Sequence, residues 1–242
     1  MVYLYTTLLY NPLLNILIFF YNTIAFGDFG LAIIFFTIFV RLLLYPLFSK
    51  STRHQIIMQR LQPELKKIEE KHKGDRERQG KAMMELYKEH NFNPFFGFVF
   101  LFLQIPILIT LYRIFLNSLR ADFLSSGLYT FIARPPSINA SLFGLINLGE
   151  HNILMVGLAA IAQYFQARLS LPPHEAGREP TPTERMSRQM VFIAPVITFA
   201  IFYNLPSAIS LYWLVATLFS IVQQAIINQK HGSPGIIRNK NN

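Results

Sequence analysis

Arg41 is the only formally charged residue between Phe29 and Phe48, a run otherwise built of apolar, aromatic and small polar side chains. A guanidinium carries five N–H donors and a fixed positive charge. In a medium of low dielectric its chemistry is therefore attraction of a carboxylate or another anion. Placing that charge in the middle of a membrane helix costs about 2.5–3.5 kcal/mol on insertion scales. Two readings meet the cost: a wet recess or partner around Arg41, or a long side chain bent out among headgroups near the helix end.

Further polar side chains recur at helical spacing inside apolar runs. Thr37, Arg41 and Tyr45 are spaced by four, and Gln163 and Gln166 by three. Residues at these intervals share one helix face. Ser210, Trp213, Thr217, Ser220 and Gln224 advance by three, four, three and four, and Gln104 stands two residues before Pro106. Lipid offers such groups no hydrogen-bond partners, so a polar stripe marks a protein-lined or watery face. Each stripe has a second reading as interhelical glue, at about 0.6 kcal/mol per bond, and Trp213 a second reading as an interfacial anchor.

The composition excludes several chemistries. Zero cysteines remove disulfides, thiolate metal sites and cysteine nucleophiles. The six histidines fall in loops or at the edges of apolar runs, where they suit neither an intramembrane hydrolase nor a buried metal site. With no phosphate-binding glycine loop either, the chain is expected not to be an enzyme and to need no cofactor. At 52% hydrophobic residues, 23 phenylalanines and a mean hydropathy of +0.33, it is too apolar for an ordinary soluble domain. Its net charge of +9 fits the basic loops of a membrane protein, with no nucleic-acid sequence recognition expected. Met1 to Tyr10 lacks a basic stretch, so no cleavable signal peptide is expected.

The elements that must position these residues are long apolar helices. The fold class is an all-α polytopic membrane protein, with spans expected at 28–49, 93–116, 152–169, 189–206 and 207–228. The uncharged stretch within 1–27 reads either as an interfacial amphipathic helix or as a further span, and periodicity does not choose. Residues 50–92 carry 11 basic and 7 acidic residues between Lys50 and His90, with Ile57, Leu61, Leu65 and Ile68 at helical spacing. They are expected to form a helical hairpin, with a helix break at Gln62-Pro63 and a turn at Lys73-Gly74-Asp75. A loop at 117–151, a loop at 170–188 with a Gly177–Thr183 linker, and a short basic tail at 229–242 complete the chain. The bias of Lys and Arg puts 50–92 and the C-terminus in the cytoplasm and the N-terminus outside.

Several motifs together resemble the YidC/Oxa/Alb membrane protein insertases, over nearly the whole chain. They are Gly30-Leu31-Ala32-Ile33-Ile34 leading to Thr37 and Val40-Arg41, Tyr45-Pro46-Leu47, Leu61-Gln62-Pro63-Glu64-Leu65 and Leu86-Tyr87-Lys88. Asn93-Pro94 with Gly97, Gln104 and Pro106 follows, then Pro206 through Leu211-Tyr212-Trp213. Phe100 and Pro206-Ser207-Ala208-Ile209 depart from the family pattern. The resemblance implies five transmembrane helices around a hydrophilic groove, with a cytoplasmic helical hairpin and an N-terminal outer-surface amphipathic helix. It implies a groove lined by Arg41, Thr37, Tyr45, Gln104, Gln163, Gln166, Ser210, Trp213 and Thr217. The activity implied is insertion of nascent single- and double-spanning proteins into the lipid bilayer of a bacterial plasma (inner) membrane. Nascent membrane proteins and lipid would be its partners, with the ribosome, the signal recognition particle receptor and the Sec translocon as further ones. The rival reading is a small-anion transporter or channel.

Overall fold

A computed structural model describes residues 2–93, 96–118, 127–171 and 182–231. Arg120, Asp122, Arg178, most of the 177–183 linker and tail residues 232–242 lie outside them. The fold is mostly helical. Among the described residues three helical stretches, Tyr3–Thr23, Arg185–Phe202 and Ser207–Gln229, are long and apolar enough to cross a membrane, or four if one bent pair counts as a single span. Gln104–Asn117 and Ile153–Leu169 are shorter apolar helices. This count differs from the five expected spans, and Tyr3–Thr23 meets the length and composition of a span.

The chain opens with α1 (Val2–Tyr5), a π-helical turn at Thr6–Tyr10 and α2 (Asn11–Thr23). Pro12 has no N–H to offer and its ring crowds the preceding turn. The wider turn accommodates this, with the Asn11 N–H donating to the Thr6 carbonyl. A tight reversal through Phe26 and Gly27, both at positive φ, leads to α3 (Phe29–Leu43). Asp28 caps α3, its Oδ1 accepting from the Leu31 N–H at 2.8 Å.

The apolar run from Phe29 to Phe48 is not one helix. It breaks at Leu44, and α4 (Tyr45–Lys71) leaves at 65° to α3. Pro46 explains the break: it cannot donate to the Leu42 carbonyl, yet its fixed φ suits the first turn of a new helix. The break expected at Gln62-Pro63 is absent, because α4 runs straight through Pro63 to Lys71. Buried Leu61 and Leu65 flank that proline and pack against Leu86 of α5 (Arg76–Glu89), with Ile57, Met58, Ile68, Met83 and Tyr87 around them. Tertiary burial therefore overrides the local preference for a break at Pro63. Asp75 caps α5 through the Arg78 N–H, after a turn at Gly74 with φ +95°.

The remaining helices are α6 (Phe96–Ser118), α7 (Ile153–Leu169), α8 (Pro182–Phe202) and α9 (Ser207–His231). The start of α8 lies inside the loop expected at 170–188, with Pro182 in the first turn, where a missing N–H does no harm. Helix α9 is the hub, packing on α3, α4, α6, α7 and α8. The main core joins Leu14, Leu17 and Ile18 of α2 to Phe29, Ile33 and Phe36 of α3, Leu111 and Ile114 of α6, Val156 of α7 and Ile209 of α9.

The 127–151 segment closes one end of this core. It contains a short antiparallel pair, β1 (Ser141–Leu142) and β2 (Ile146–Asn147), the described residues' exception to an all-helical reading. Asp28 Oδ2 accepts from the Phe143 N–H at 2.5 Å, so one carboxylate both caps α3 and holds this loop. The Ser207 N–H and Oγ donate to the Glu150 and Asn147 carbonyls, binding the start of α9 to it as well. On α2, Asn15 Nδ2 donates to the Gly127 carbonyl, Asn15 Oδ1 accepts from the Tyr129 N–H, and Asn22 Nδ2 donates to the Ala133 carbonyl.

Candidate functional site

Arg41 lies in the last turn of α3, two residues before its end. A cation there meets the negative end of the helix dipole, worth about 0.3–1 kcal/mol and up to about 2 when partly buried. Its side chain is 6% exposed. One terminal nitrogen, Nη1, donates to Ser220 Oγ of α9 at 3.1 Å, and the same hydroxyl donates to the Ala216 carbonyl at 2.9 Å. The guanidinium carbon sits 4.5 Å from the centre of the Phe48 ring. No carboxylate pairs with Arg41 among the described residues. Four of its five N–H donors have no protein acceptor among those residues.

The first turn of α4 covers this cation. Phe48 and Ser49 are buried, and Gln223 Nε2 of α9 donates to Ser49 Oγ at 3.1 Å and to the Tyr45 carbonyl at 3.4 Å. Thr37 is buried and spends its hydroxyl proton on the Ile33 carbonyl of its own helix. Because the break at Leu44 falls between Arg41 and Tyr45, these two do not continue one helical stripe. Tyr45 is half-buried and enters the cluster through its carbonyl.

Among the described residues, the other expected groove residues fall into two interhelical pairs and three positions outside them. Gln104 Nε2 of α6 donates to the buried Tyr212 hydroxyl of α9 at 2.9 Å. Trp213 Nε1 donates to Gln163 Oε1 of α7 at 3.2 Å, while its ring meets Phe202 edge-on at 5.4 Å. Gln166 is half-buried, its carbonyl accepting from Ser170. Thr217 is 4% exposed, and Ser210 is fully buried with its hydroxyl oxygen unpartnered among the described residues.

The arrangement thus joins Arg41 to Ser220 and Phe48, pairs Gln104 of α6 with Tyr212 of α9, and pairs Gln163 of α7 with Trp213 of α9. Ser220 was legible in the α9 stripe. Tyr212, Ser49 and Gln223 fall off the stripes, and only the packing of α4 and α6 against α9 brings them in.

Residues 19–233 match the family described as 60Kd inner membrane protein. The chain belongs to that family. It is the YidC/Oxa/Alb family that the sequence motifs resemble. The chain is 36% identical over 205 residues to the membrane protein insertase YidC of Francisella tularensis subsp. novicida (strain U112), and equally to that of subsp. tularensis (strain SCHU S4 / Schu 4). These alignments cover 85% of this chain and 33% of each relative, so the chain spans about a third of the length of the curated relatives it matches. A crystal structure of an active YidC insertase with its first transmembrane domain resolved is similar at TM-score 0.59 and 26% identity, over 88% of this chain and 46% of that one. Family membership and several apolar helices make this member a bacterial inner-membrane protein.

Proposed function

We propose that this chain inserts nascent membrane proteins into the lipid bilayer, and that Arg41 is the charge that receives their polar, acidic segments. The observation that carries the reading is a buried guanidinium with one protein acceptor and no carboxylate partner among the described residues, set where α3, α4 and α9 meet. Such a group has donors to spare for an incoming carboxylate. At about 4 Å and an effective dielectric of about 20, the attraction is roughly 4 kcal/mol before desolvation is counted.

Access to Arg41 requires the first turn of α4 to move. The break at Leu44 is the natural pivot, and the Gln223 bonds with the Phe48 ring hold the turn closed. Once it swings away, the cation, Ser220 and Tyr212 form a hydrophilic recess. A short acidic tail then crosses part of the bilayer beside polar protein groups rather than lipid. Gln163, Gln166, Ser210, Trp213 and Thr217 extend the polar face along α7 and α9. Burial of the client's apolar helix in lipid, helped for acidic tails by a membrane potential worth about 2.3 kcal/mol per charge per 100 mV, releases it. We take the α4–α5 hairpin as cytoplasmic, the 127–151 segment as extracytoplasmic, and α3, α6, α7, α8 and α9 as the five spans.

The test is insertion of a single-spanning client with a short acidic tail into proteoliposomes containing only this protein, read by protease protection. Arg41→Ala should lose most of the activity, and Arg41→Lys should keep part, retaining the charge without the planar fork. A client whose tail acids are changed to Asn should be indifferent to both substitutions. Full activity of Arg41→Ala on the acidic client would overturn the reading. Saturable flux of small anions without client insertion would favour the transporter instead.

A further inference from the structure

A second arginine lies within the apolar part of α6. Hydropathy passes over Arg113 because Leu111, Tyr112, Ile114, Phe115 and Leu116 surround it in sequence. It shares the outward stripe of α6 with Ile105, Ile109 and Leu116, all exposed large hydrophobics, and is itself exposed. In a membrane protein that stripe faces lipid. Arg113 stands five residues before the end of α6 at Ser118, about 7.5 Å along the axis, which an arginine stem can span to headgroup level.

Among the described residues, protein groups shape this position without neutralising it. The guanidinium carbon lies 5.2 Å from the centre of the Tyr5 ring, within cation–π range. The Tyr5 ring leans on Tyr10 at 6.4 Å, and the Tyr10 hydroxyl accepts from Asn117 Nδ2, one turn beyond Arg113, at 3.3 Å. The Tyr5 hydroxyl is buried and without a hydrogen-bond partner among the described residues. Among those residues Arg113 has neither a carboxylate nor a hydrogen-bonded acceptor. A cation on a lipid-facing stripe meets one abundant class of anion, the phosphodiester of a phospholipid, whose oxygens match the guanidinium fork.

We propose that Arg113, Tyr5 and Asn117 form a binding site for the phosphodiester headgroup of a membrane lipid, in the leaflet on the side of the 127–151 segment. The site lies where the N-terminal helix already meets α6 directly, through Tyr5 with Arg113 and Tyr10 with Asn117. It depends on the membrane reading of the fold and is independent of the insertion activity assigned to Arg41.

The test uses the full chain in neutral detergent and native mass spectrometry. The probes are phosphatidylglycerol, diacylglycerol with the same tails, and inorganic phosphate. The expected result is selective retention of one phosphatidylglycerol, with neither control retained. Arg113→Gln should weaken that retention about tenfold, the loss of a charge-assisted hydrogen bond. Arg113→Lys should be intermediate, and Arg41→Gln should leave retention unchanged even if insertion fails. Equal retention of phosphatidylglycerol by the wild type and Arg113→Gln overturns the site. Equal retention of diacylglycerol makes it a mere apolar annulus, and tight inorganic phosphate makes it a free-anion site; either result overturns the proposal.

Discussion

If the first turn of α4 is a gate over Arg41, weakening its bonds to α9 should raise the fraction of molecules in which the groove is open. Gln223→Ala removes the bonds to Ser49 Oγ at 3.1 Å and to the Tyr45 carbonyl at 3.4 Å, and leaves the contact between Phe48 and Arg41 in place. A neutral hydrogen bond contributes about 0.5–1.5 kcal/mol net, and the longer of these two belongs at the low end. Together they hold the closed state by about 1–2 kcal/mol, so their loss should multiply a small open population about five- to thirtyfold. The chain contains no cysteine, so an introduced thiol is a unique reporter. Thr217→Cys places one at a position 4% exposed, one turn from Ser220 on the same face of α9. Labelling by a membrane-impermeant maleimide, added from the side bearing α4, should accelerate by that factor when Gln223→Ala is combined with it. When opening and closing outpace labelling, the rate follows the open population. If the rate changes less than twofold while helicity is unchanged, these contacts do not gate the site and the pivot at Leu44 has no functional meaning.

Arg41→Met should leave thermal stability in detergent within about 2 kcal/mol of wild type, because the hydrogen bond, ring contact and helix-end position of the guanidinium offset most of its desolvation. Separate loss of insertion activity would then be chemical rather than structural, whereas unfolding of this variant would refute that balance. Gly30→Ala should destabilise by about 1–3 kcal/mol. A Cβ there would lie 2.5–2.9 Å from Leu142 atoms, including its Cα. The loss should register in thermal unfolding and in faster proteolysis of the 127–151 segment, and a neutral result would mean that this segment does not seal the α3 end so closely.

The sequence by itself determined the class of the molecule and its main chemistry. Long apolar runs, basic loops and zero cysteines leave little besides a helical membrane protein, since every backbone polar group in lipid must be satisfied within a helix. Arg41 stood out for the same reason, as a cost that local structure cannot meet. The α9 stripe likewise pointed to a face shared with other helices, and it holds Ser220, the partner of Arg41. What tertiary structure alone decided is where those groups meet and where the helices end. Pro46 breaks its run and Pro63 does not, because α4 packs Leu61 and Leu65 against Leu86 around Pro63. Tyr212, Gln223 and Ser49 join the site through contacts spanning more than a hundred residues of chain, which no local periodicity encodes. Arg113 escaped notice because averaged hydropathy hides one charge among strongly apolar neighbours, whereas helix packing fixes the direction in which that charge faces.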